Sequence, residues 1–362
     1  MGKLSRLLAG LLLGLAALLS GAGSAQAAVP DVWAFAYVDN ATPPPGYIMS
    51  TAHQSGSYKA ACPAAWGQVS NPSVGFYQVT FPCTGGYGAG IVHVTAVDAT
   101  GGFCQAGRWG ASGRNELVYV WCFDAAGALA DRRFTVLYTA STGSSPAGSH
   151  AYVHANAAGT LITGFNSTGL ANTVVQQAPG RYRVELPVPN PRAYTGDFQV
   201  TAVAGSGTPR HCRVADWSLG QNGYLIYLAC ADRAGRDADS GFTLSHHHKR
   251  TVYGVPGPPI HLGYLLHPVS GAPMPDTNYN SVAGPNVAAQ VAPGQWDVVY
   301  PGVGVRETHM QVTAYSGRPV YCQLSDLWTI SGTDAVARTV ACFAPGGAPA
   351  DSAFFATFAS SA

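Results

Sequence analysis

The residues of this sequence that are best suited to metal chemistry form one short run, HHHKR, at positions 246–250. On a β-strand the side chains of residues i and i+2 lie on the same face, so His246 and His248 could bind one metal ion together. Three consecutive histidines do not supply the closed tetrahedral ligand set of a structural zinc site, and the sequence identifies no further ligand. We therefore expect a solvated strand end here, with adventitious metal binding and a specific metal site as alternatives.

Only one carboxylate recurs at a fixed place, in the pattern Gly-x-x-x-Asp-x-x-Phe, as Asp131, Asp239 and Asp351. An aspartate in a turn usually accepts hydrogen bonds from nearby backbone N–H groups, so a structural role is expected. One carboxylate per repeat does not make the pair that glycoside hydrolysis requires. The sequence also lacks the nucleophile elbow, the zinc-protease motif, the P-loop and the Rossmann glycine pattern. We therefore expect no catalytic residue, no cofactor and no metal ligand, and hence no enzyme.

Three tryptophans, Trp109, Trp217 and Trp328, each follow a cysteine by five or six residues. Exposed, they would form aromatic platforms on which the flat faces of sugars could stack. Buried, they would pack against a disulfide in the core of each repeat. Recurrence in every repeat favours the core role, and the ligand-facing role remains open as the alternative.

Eight cysteines give an even number, which suits a disulfide framework in an exported protein. Three pairs are 18, 18 and 20 residues apart with a turn-like stretch between them, so a hairpin would bring each pair together across two strands. The remaining pair occurs only in the first repeat. We predict the disulfides Cys62–Cys83, Cys104–Cys122, Cys212–Cys230 and Cys322–Cys342. Zinc binding is disfavoured because no C-x-x-C occurs.

The chain contains three copies of one unit. Each copy has a strand ending in Val-Thr-Ala, then Cys, Trp and Cys, and finally the Gly-x-x-x-Asp-x-x-Phe run before its last strand. The predicted domains are residues 31–140, 150–253 and 260–362, which we call units 1, 2 and 3. The segments between them, 140–149 and 253–259, are predicted to be linkers, the first flexible and the second stiffened by proline.

Each unit is predicted to be an antiparallel β-domain. Residues 182–186 alternate apolar and charged side chains, as on a half-buried strand, whereas residues 117–121 are continuously apolar and suit a fully buried one. Gly, Pro, Asn and Ser interrupt such runs at short spacing. The expected fold is all-β, with three tandem sandwich-like domains of immunoglobulin-like size. Whether the units are separate or packed together is left open.

Charged residues make up only 10% of the chain, against about 25% in an average globular protein. With 19 basic and 18 acidic residues, the chain lacks the basic footprint of a nucleic-acid-binding protein. Residues 1–27 combine a basic start, a short apolar run and an Ala-x-Ala site, which predicts a secretory signal peptide. We expect a secreted, extracellular product without a membrane span in the mature chain.

The repeated motifs resemble those of exported β-repeat proteins of high-GC, actinobacterial-type bacteria, a group without an assigned activity. The resemblance rests on the Val-Thr-Ala strand, Cys-x4-Trp, Cys-Phe and the Gly-x-x-x-Asp-x-x-Phe run. It covers all three units, most completely the first. Unit 2 departs from it at Ala231, and unit 3 has one extra residue before Trp328. The resemblance implies a shared fold and export, and it transfers no functional site.

These observations lead to three functional hypotheses. The first is a non-catalytic extracellular protein that binds, for example, cell-wall polysaccharide, or that serves as a structural surface component. The second is a protein-binding factor or inhibitor that acts through its loops. The third is an extracellular hydrolase with a site in one divergent unit. Equivalent exposed aromatic residues on each unit would favour a sugar-binding array, whereas clustered His, Asp or Glu in a pocket would favour an enzyme.

Overall fold

The computed structural model describes residues 31–86, 90–140, 148–188, 195–205, 207–282 and 284–361. The predicted signal peptide and most of the first predicted linker, residues 141–147, lie outside the described residues. None of the helices in the described ranges is long and apolar enough to cross a membrane.

The described chain is almost entirely β, which confirms the predicted fold class. Unit 1 contributes nine strands: β1 (Trp33–Val38), β2 (Tyr47–Ile48), β3 (Gln54–Gly56), β4 (Gln68–Ser73), β5 (Phe76–Phe81), β6 (Ile91–Val97), β7 (Phe103–Ser112), β8 (Asn115–Phe123) and β9 (Arg133–Thr139). Unit 2 contributes eight: β10 (Ser149–Ala155), β11 (Leu161–Asn166), β12 (Thr173–Ala178), β13 (Arg181–Pro187), β14 (Asp197–Val203), β15 (His211–Leu219), β16 (Gly223–Ala231) and β17 (Gly241–His248). Unit 3 contributes nine: β18 (Leu262–His267), β19 (Asn278–Asn280), β20 (Val287–Ala292), β21 (Gln295–Tyr300), β22 (Thr308–Tyr315), β23 (Tyr321–Leu324), β24 (Thr329–Ser331), β25 (Asp334–Phe343) and β26 (Ala353–Ser360). The helical segments in these ranges are α1 (Tyr58–Ala61) and two 3-10 turns, Thr51–His53 and Pro275–Thr277.

Each unit is a sandwich with its own apolar core. In unit 1, Val79 and Val118 from one layer share a cluster with Val92 and Val136 from the other. Units 2 and 3 have equivalent clusters. The alternation predicted for residues 182–186 is observed, because Tyr182, Val184 and Leu186 are fully buried in this core.

The three units are packed together, since every sheet takes strands from two of them. Sheet A joins units 1 and 3, sheet B joins units 1 and 2, and sheet C joins units 2 and 3. Each junction is a parallel contact between an inner strand of one unit and an inner strand of the next: β6 with β23, β14 with β7 and β22 with β15. The units therefore form a closed ring around an axis lined by β6, β14 and β22. The exact domain boundaries remain a prediction.

A buried side chain at one equivalent position reinforces each junction. This residue follows the first cysteine of the hairpin and donates to a backbone carbonyl of the neighbouring unit. The three bonds are Gln105 Nε2 to Ala204 O (3.3 Å), Arg213 Nε to Ser316 O (2.9 Å) and Gln323 Nε2 to Asp98 O (2.6 Å). The same type of hydrogen bond therefore joins the units at all three junctions.

All four disulfides have the predicted pairing. The three repeated ones join directly opposed residues of β7–β8, β15–β16 and β23–β25, with Cα atoms 4.0 Å apart. The fourth, Cys62–Cys83, ties the insertion that contains α1 to the end of β5 in unit 1. Four disulfides are compatible with an extracellular protein.

The second predicted linker begins in a buried apolar cluster, whereas its end, Pro258 and Pro259, is exposed. Val252 and Tyr253 are fully buried and share a cluster with Phe35 and Leu137 of unit 1. The tyrosine ring also stacks on Trp33, with ring centroids 4.2 Å apart. Proline-rich composition predicted a stiff connector but gave no sign that unit 1 would cover it.

Candidate functional site

The axis of the ring is polar and closed by a cycle of hydrogen bonds between units. One threonine of each unit lies at the same level, and its hydroxyl accepts a backbone N–H from a neighbouring unit. The three bonds are Val312 N to Thr95 (3.2 Å), Val94 N to Thr201 (3.0 Å) and Val200 N to Thr313 (2.9 Å). The Val-Thr-Ala repeat is therefore the signature of this junction, because each unit needs the hydroxyl in the same place.

The same hydroxyls also contact the side chain two residues before the neighbouring threonine. Thr95 donates to Gln311 and Thr313 donates to Gln199, whereas unit 1 has His93 at the equivalent position, with Nδ1 3.3 Å from Thr201 Oγ1. His93 Nε2 also lies 2.9 Å from Ser245 Oγ. A histidine thus replaces one of three amides in an otherwise regular cycle.

The next level of the axis holds different residues in the three units, namely Ile91, Asp197 and His309, each fully buried. His309 Nε2 accepts from Gln311 Nε2 at 3.0 Å, and its Nδ1 lies 2.9 Å from Thr135 Oγ1. Asp197 Oδ2 accepts from Gln199 Nε2 at 2.7 Å. The axis therefore combines donors and acceptors that bond one another, although Asp197 Oδ1 has no hydrogen-bond partner among the described residues.

Asp197 and His247 form a buried pair, with Nε2 and Oδ2 3.4 Å apart and both side chains fully inaccessible. Burial raises the pKa of Asp197 well above its usual range and lowers the pKa of His247 well below its usual range. Both directions favour the uncharged forms, because neither group retains its hydration. We therefore treat the pair as a neutral contact rather than an ion pair.

The prediction of a solvated strand end at residues 246–248 is wrong. His246 and His247 are buried, and His248 is partly buried. His246 Nε2 lies 3.1 Å from the carbonyl oxygen of Thr195, and His248 Nδ1 lies 3.2 Å from the hydroxyl of Tyr264. His246 and His248 thus contact different partners. Within the described ranges no group of three His, Cys, Asp or Glu side chains is arranged to hold a metal.

Burial keeps four histidines neutral, of which two lie on axial strands, one on β10 and one on β17. It lowers the pKa of His93, His150 and His309 to about 3 and that of His246 to about 4. Desolvation is the largest cause for all four, since a charged imidazole would lose its water. The sequence did not predict the polar axis, because histidine was expected at the surface. The only sequence signal of the axis is the repeated Val-Thr-Ala.

Beyond the threonines, the axis ends in a small cavity of about 50 Å³. Three rings at equivalent positions line it: Phe103, His211 and Tyr321. Their centroids lie 4.1 Å apart for the first two and 4.4 Å apart for the last two. A cavity of this size accommodates a few water molecules but neither a sugar ring nor a peptide.

The repeated aspartates have the structural role expected of them. Each carboxylate accepts one hydrogen bond from the backbone N–H of a glycine in a distant hairpin turn. It accepts a second hydrogen bond from a side-chain amide. The glycine bonds are Gly75 N to Asp131 (2.7 Å), Gly180 N to Asp239 (2.6 Å) and Gly294 N to Asp351 (2.6 Å). These carboxylates join two loops of their own unit. The sequence had predicted that their partners would be backbone N–H groups nearby in the chain.

The ligand-facing role of the tryptophans is wrong for two of the three. Trp217 and Trp328 are only 5% and 1% exposed, and each belongs to the core cluster that holds the disulfide of its unit. Trp109 is half-buried, donates from Nε1 to Gly90 O at 3.1 Å and packs on His154. The units therefore do not present three equivalent exposed indoles.

Units 2 and 3 instead carry a surface groove at the same place. The groove lies where the first strand, the Val-Thr-Ala strand and the loop before the last strand come together. The unit 2 groove has a volume of about 380 Å³ and the unit 3 groove about 450 Å³. Apolar residues line both, including Ile162 in unit 2 and Met274 in unit 3.

An arginine lies at the rim of each groove. Arg210 Nε donates to Asp239 O at 3.1 Å, and Arg318 Nη2 donates to Asp351 O at 3.0 Å. Unit 1 differs, because the corresponding loop carries Asp98, which pairs with Arg132 at 3.2 Å. Two of the three units therefore combine an apolar floor with a guanidinium group.

Comparison of the chain with protein-family models and with curated proteins gives no match. The grooves of units 2 and 3 are large enough to admit a ligand larger than water, whereas the axial cavity is not.

Proposed function

We propose that this chain is a secreted, non-catalytic protein that binds an extracellular partner through the equivalent grooves of units 2 and 3. The observation that carries the proposal is their recurrence. Two grooves built by the same loops of a repeated unit favour the same class of ligand. If both engage one polymer, the second contact is intramolecular and strengthens binding without any new type of interaction.

The chemistry of the grooves favours binding over catalysis. Asp239 lines the unit 2 groove, but its Oδ1 already accepts from Gly180 N and from Gln176 Nε2. Burial raises the pKa of Glu116 to about 7, yet Glu116 lines neither groove. His154 lines the unit 2 groove and has a pKa that burial lowers to about 4, whereas the histidines with pKa values of about 3 line neither groove.

Cell-wall polysaccharide is the ligand class we propose first. A sugar ring offers an apolar face for the groove floor and hydroxyl groups for polar residues such as Asn156, Thr208 and Arg210. The low overall charge suits a neutral polymer. A protein segment is the second candidate, and the unit 3 groove favours it because Val269 and Met274 are 50% and 41% exposed there.

The test fills the grooves at two equivalent exposed positions, Ala157→Trp in unit 2 and Val269→Trp in unit 3. The matched control is Val74→Trp, at a side chain that is 56% exposed and lines neither groove. Retention on insoluble cell-wall polysaccharide is measured for each variant. We expect each single variant to bind at least about tenfold more weakly and the double variant to lose binding.

Wild-type retention by the double variant would show that the grooves are not the site. Absence of retention for the wild-type chain, together with a protein recovered from the same extract whose capture depends on Val269, would replace the polysaccharide with the protein segment.

A further inference from the structure

Unit 1 carries an insertion around α1 and the Cys62–Cys83 disulfide, and Trp66 lies at its end. Trp66 does not belong to the three repeated tryptophans, and its side chain is half-buried. Its indole lines a pocket of about 320 Å³, which is comparable in size with the grooves of units 2 and 3. The pocket therefore offers unit 1 a tryptophan at the surface that the repeat itself does not provide.

The floor of this pocket is the outer face of sheet B. Ile48, Gln68 and Thr80 are directly opposed across β2, β4 and β5, so their side chains share one face. Val69 and Val79, the neighbouring residues on these strands, are buried in the core of unit 1. Because side chains alternate along a strand, the row of three points away from that core. Ile48 is accordingly 46% exposed.

Several contacts hold Trp66 in place beside this floor. Lys59 Nζ lies 3.2 Å from the centroid of the indole and also donates to Ala65 O at 3.3 Å. Lys59 does not line the pocket, so its ammonium group fixes the ring from outside. The next residue, Gly67, donates its backbone N–H to the buried Gln54 Oε1 at 2.8 Å. The indole is therefore held in position in the free protein, which reduces the entropy cost of binding a ligand.

The pocket is lined by neutral groups only. None of its lining residues is Asp, Glu, Lys, Arg or His, whereas each of the two grooves includes an arginine. Among the described residues no hydrogen bond occupies the side chains of Gln68 and Thr80. Asn115 uses only its Oδ1, which accepts from Cys83 N at 3.3 Å. Amide and hydroxyl groups beside an indole suit the hydroxyl groups and the apolar face of a pyranose ring.

Units 2 and 3 do not repeat this set of residues. Strands β5, β13 and β21 each follow a glycine and lead into a proline, so they can be aligned directly. The position of Thr80 is then occupied by Glu185 in unit 2 and by Val299 in unit 3. One is charged and the other is apolar. The pocket is therefore a site of unit 1 alone rather than a third copy of the groove.

We propose that the pocket at Trp66 binds a neutral sugar unit, which stacks on the indole and bonds to Gln68, Thr80 and Asn115. The ligand class rests on the proposed function, carbohydrate binding, but the residues are separate from those of the grooves. A volume of about 320 Å³ is at the small end of ligand pockets, which suits one pyranose unit rather than a peptide segment.

The test uses the groove double variant Ala157→Trp/Val269→Trp as its background, so that the grooves do not account for binding. Cellohexaose, maltohexaose and chitohexaose are titrated by calorimetry and by tryptophan fluorescence. We expect at least one of them to bind, and Trp66→Ala to weaken this binding at least about tenfold. Trp66→Phe keeps an aromatic face and should retain most of the affinity.

The matched control is Trp121→Ala, which removes another half-buried tryptophan from sheet B, at a position that does not line the pocket. It should leave the affinity unchanged. Gln68→Ala, at an exposed position on the floor, should weaken binding about threefold by removing one hydrogen bond. Thermal unfolding of every variant separates a loss of binding from a loss of fold.

Absence of saturable binding of all three oligosaccharides to the background variant would overturn the proposal, whatever the polysaccharide retention of the groove variants shows about the grooves. So would binding that Trp66→Ala leaves unchanged. Binding confined to an anionic oligosaccharide, such as hexagalacturonate, would also overturn it, because Lys59 rather than the neutral lining would then be the contact.

Discussion

The axis and the sandwich cores of this protein are equally buried, yet they have opposite chemistry. The cores are apolar and come mainly from single units, as shown by Val79 and Val118 packing against Val92 and Val136 in unit 1. The axis consists of threonine, glutamine and histidine side chains that bond between units. Apolar burial is not directional, whereas hydrogen bonds demand particular partners. We infer that the cores stabilise each unit and the axis specifies how the units join.

Acidification should have the largest effect, and it acts on three buried histidines, two of which lie on the axis. His93, His150 and His309 are neutral in the folded protein, with pKa values near 3, but take up protons below about pH 6.5 once unfolded. The stability that these three rings contribute is therefore complete well above pH 6.5 and is lost as the pH decreases toward 3, whereas Glu116 and Asp197, whose pKa values burial raises, act in the opposite direction. At pH 5 each ring destabilises the fold by about 2 kcal/mol. Denaturant unfolding at pH 7.5, 6 and 5 measures this loss, and a midpoint independent of pH would contradict it.

Removing a large side chain from a core should have the next largest effect. Trp296 is fully buried in the unit 3 cluster. Trp296→Ala should lower the free energy of unfolding by about 3–5 kcal/mol, because it removes apolar contacts and leaves a cavity. Trp296→Phe is the control and should cost clearly less. The loss should be the same at pH 7.5 and pH 6, unlike the effect of axial protonation; a loss that varied with pH would break the distinction between the two regions.

Removing a single hydroxyl from the axis should lower the free energy of unfolding less than removing the Trp296 side chain. Thr313 accepts from Val200 N at 2.9 Å and donates to Gln199 Oε1 at 2.9 Å. Thr313→Val leaves both partners without this bond and should destabilise the protein by about 2–3 kcal/mol. Thr313→Ser keeps the hydroxyl and should retain most of the stability. Equal unfolding midpoints for the valine and serine variants would show that the hydrogen bonds of the Thr313 hydroxyl do not determine its contribution to stability.

The smallest effect at neutral pH is expected for His93→Gln, which places the amide of the other two units at the third position of the cycle. Stability at pH 7.5 should change by less than about 1 kcal/mol, because an amide can still bond Thr201. Stability at pH 5 should rise relative to wild type, since one protonating ring is gone. A variant that loses as much stability as the wild type between pH 7.5 and 5 would exclude His93 from the acid response.

The sequence predicted what depends on neighbours along the chain. Cys104 and Cys122 follow from one hairpin with a central turn, and the inward positions of Tyr182, Val184 and Leu186 follow from a period of two. The contact of Thr95 with Gln311 joins residues more than 200 positions apart, and neither strand carries a local sign of it. Residues 246–248 were predicted to be solvated because histidine is polar, whereas unit 2 itself buries His246 and unit 3 helps to bury His247. The grooves escaped prediction because segments far apart in the sequence form each of them.

The ring also explains how a repeated protein can hold a unique buried carboxyl group. Three separate identical chains around an axis would place the same side chain at every equivalent position, so one aspartate would become three in mutual repulsion. Here Ile91, Asp197 and His309 share one level, and a single carboxyl group faces amide and imidazole partners instead of copies of itself. Because the three units belong to one chain, their axial residues need not be identical. A substitution in one unit then changes one axial position rather than three.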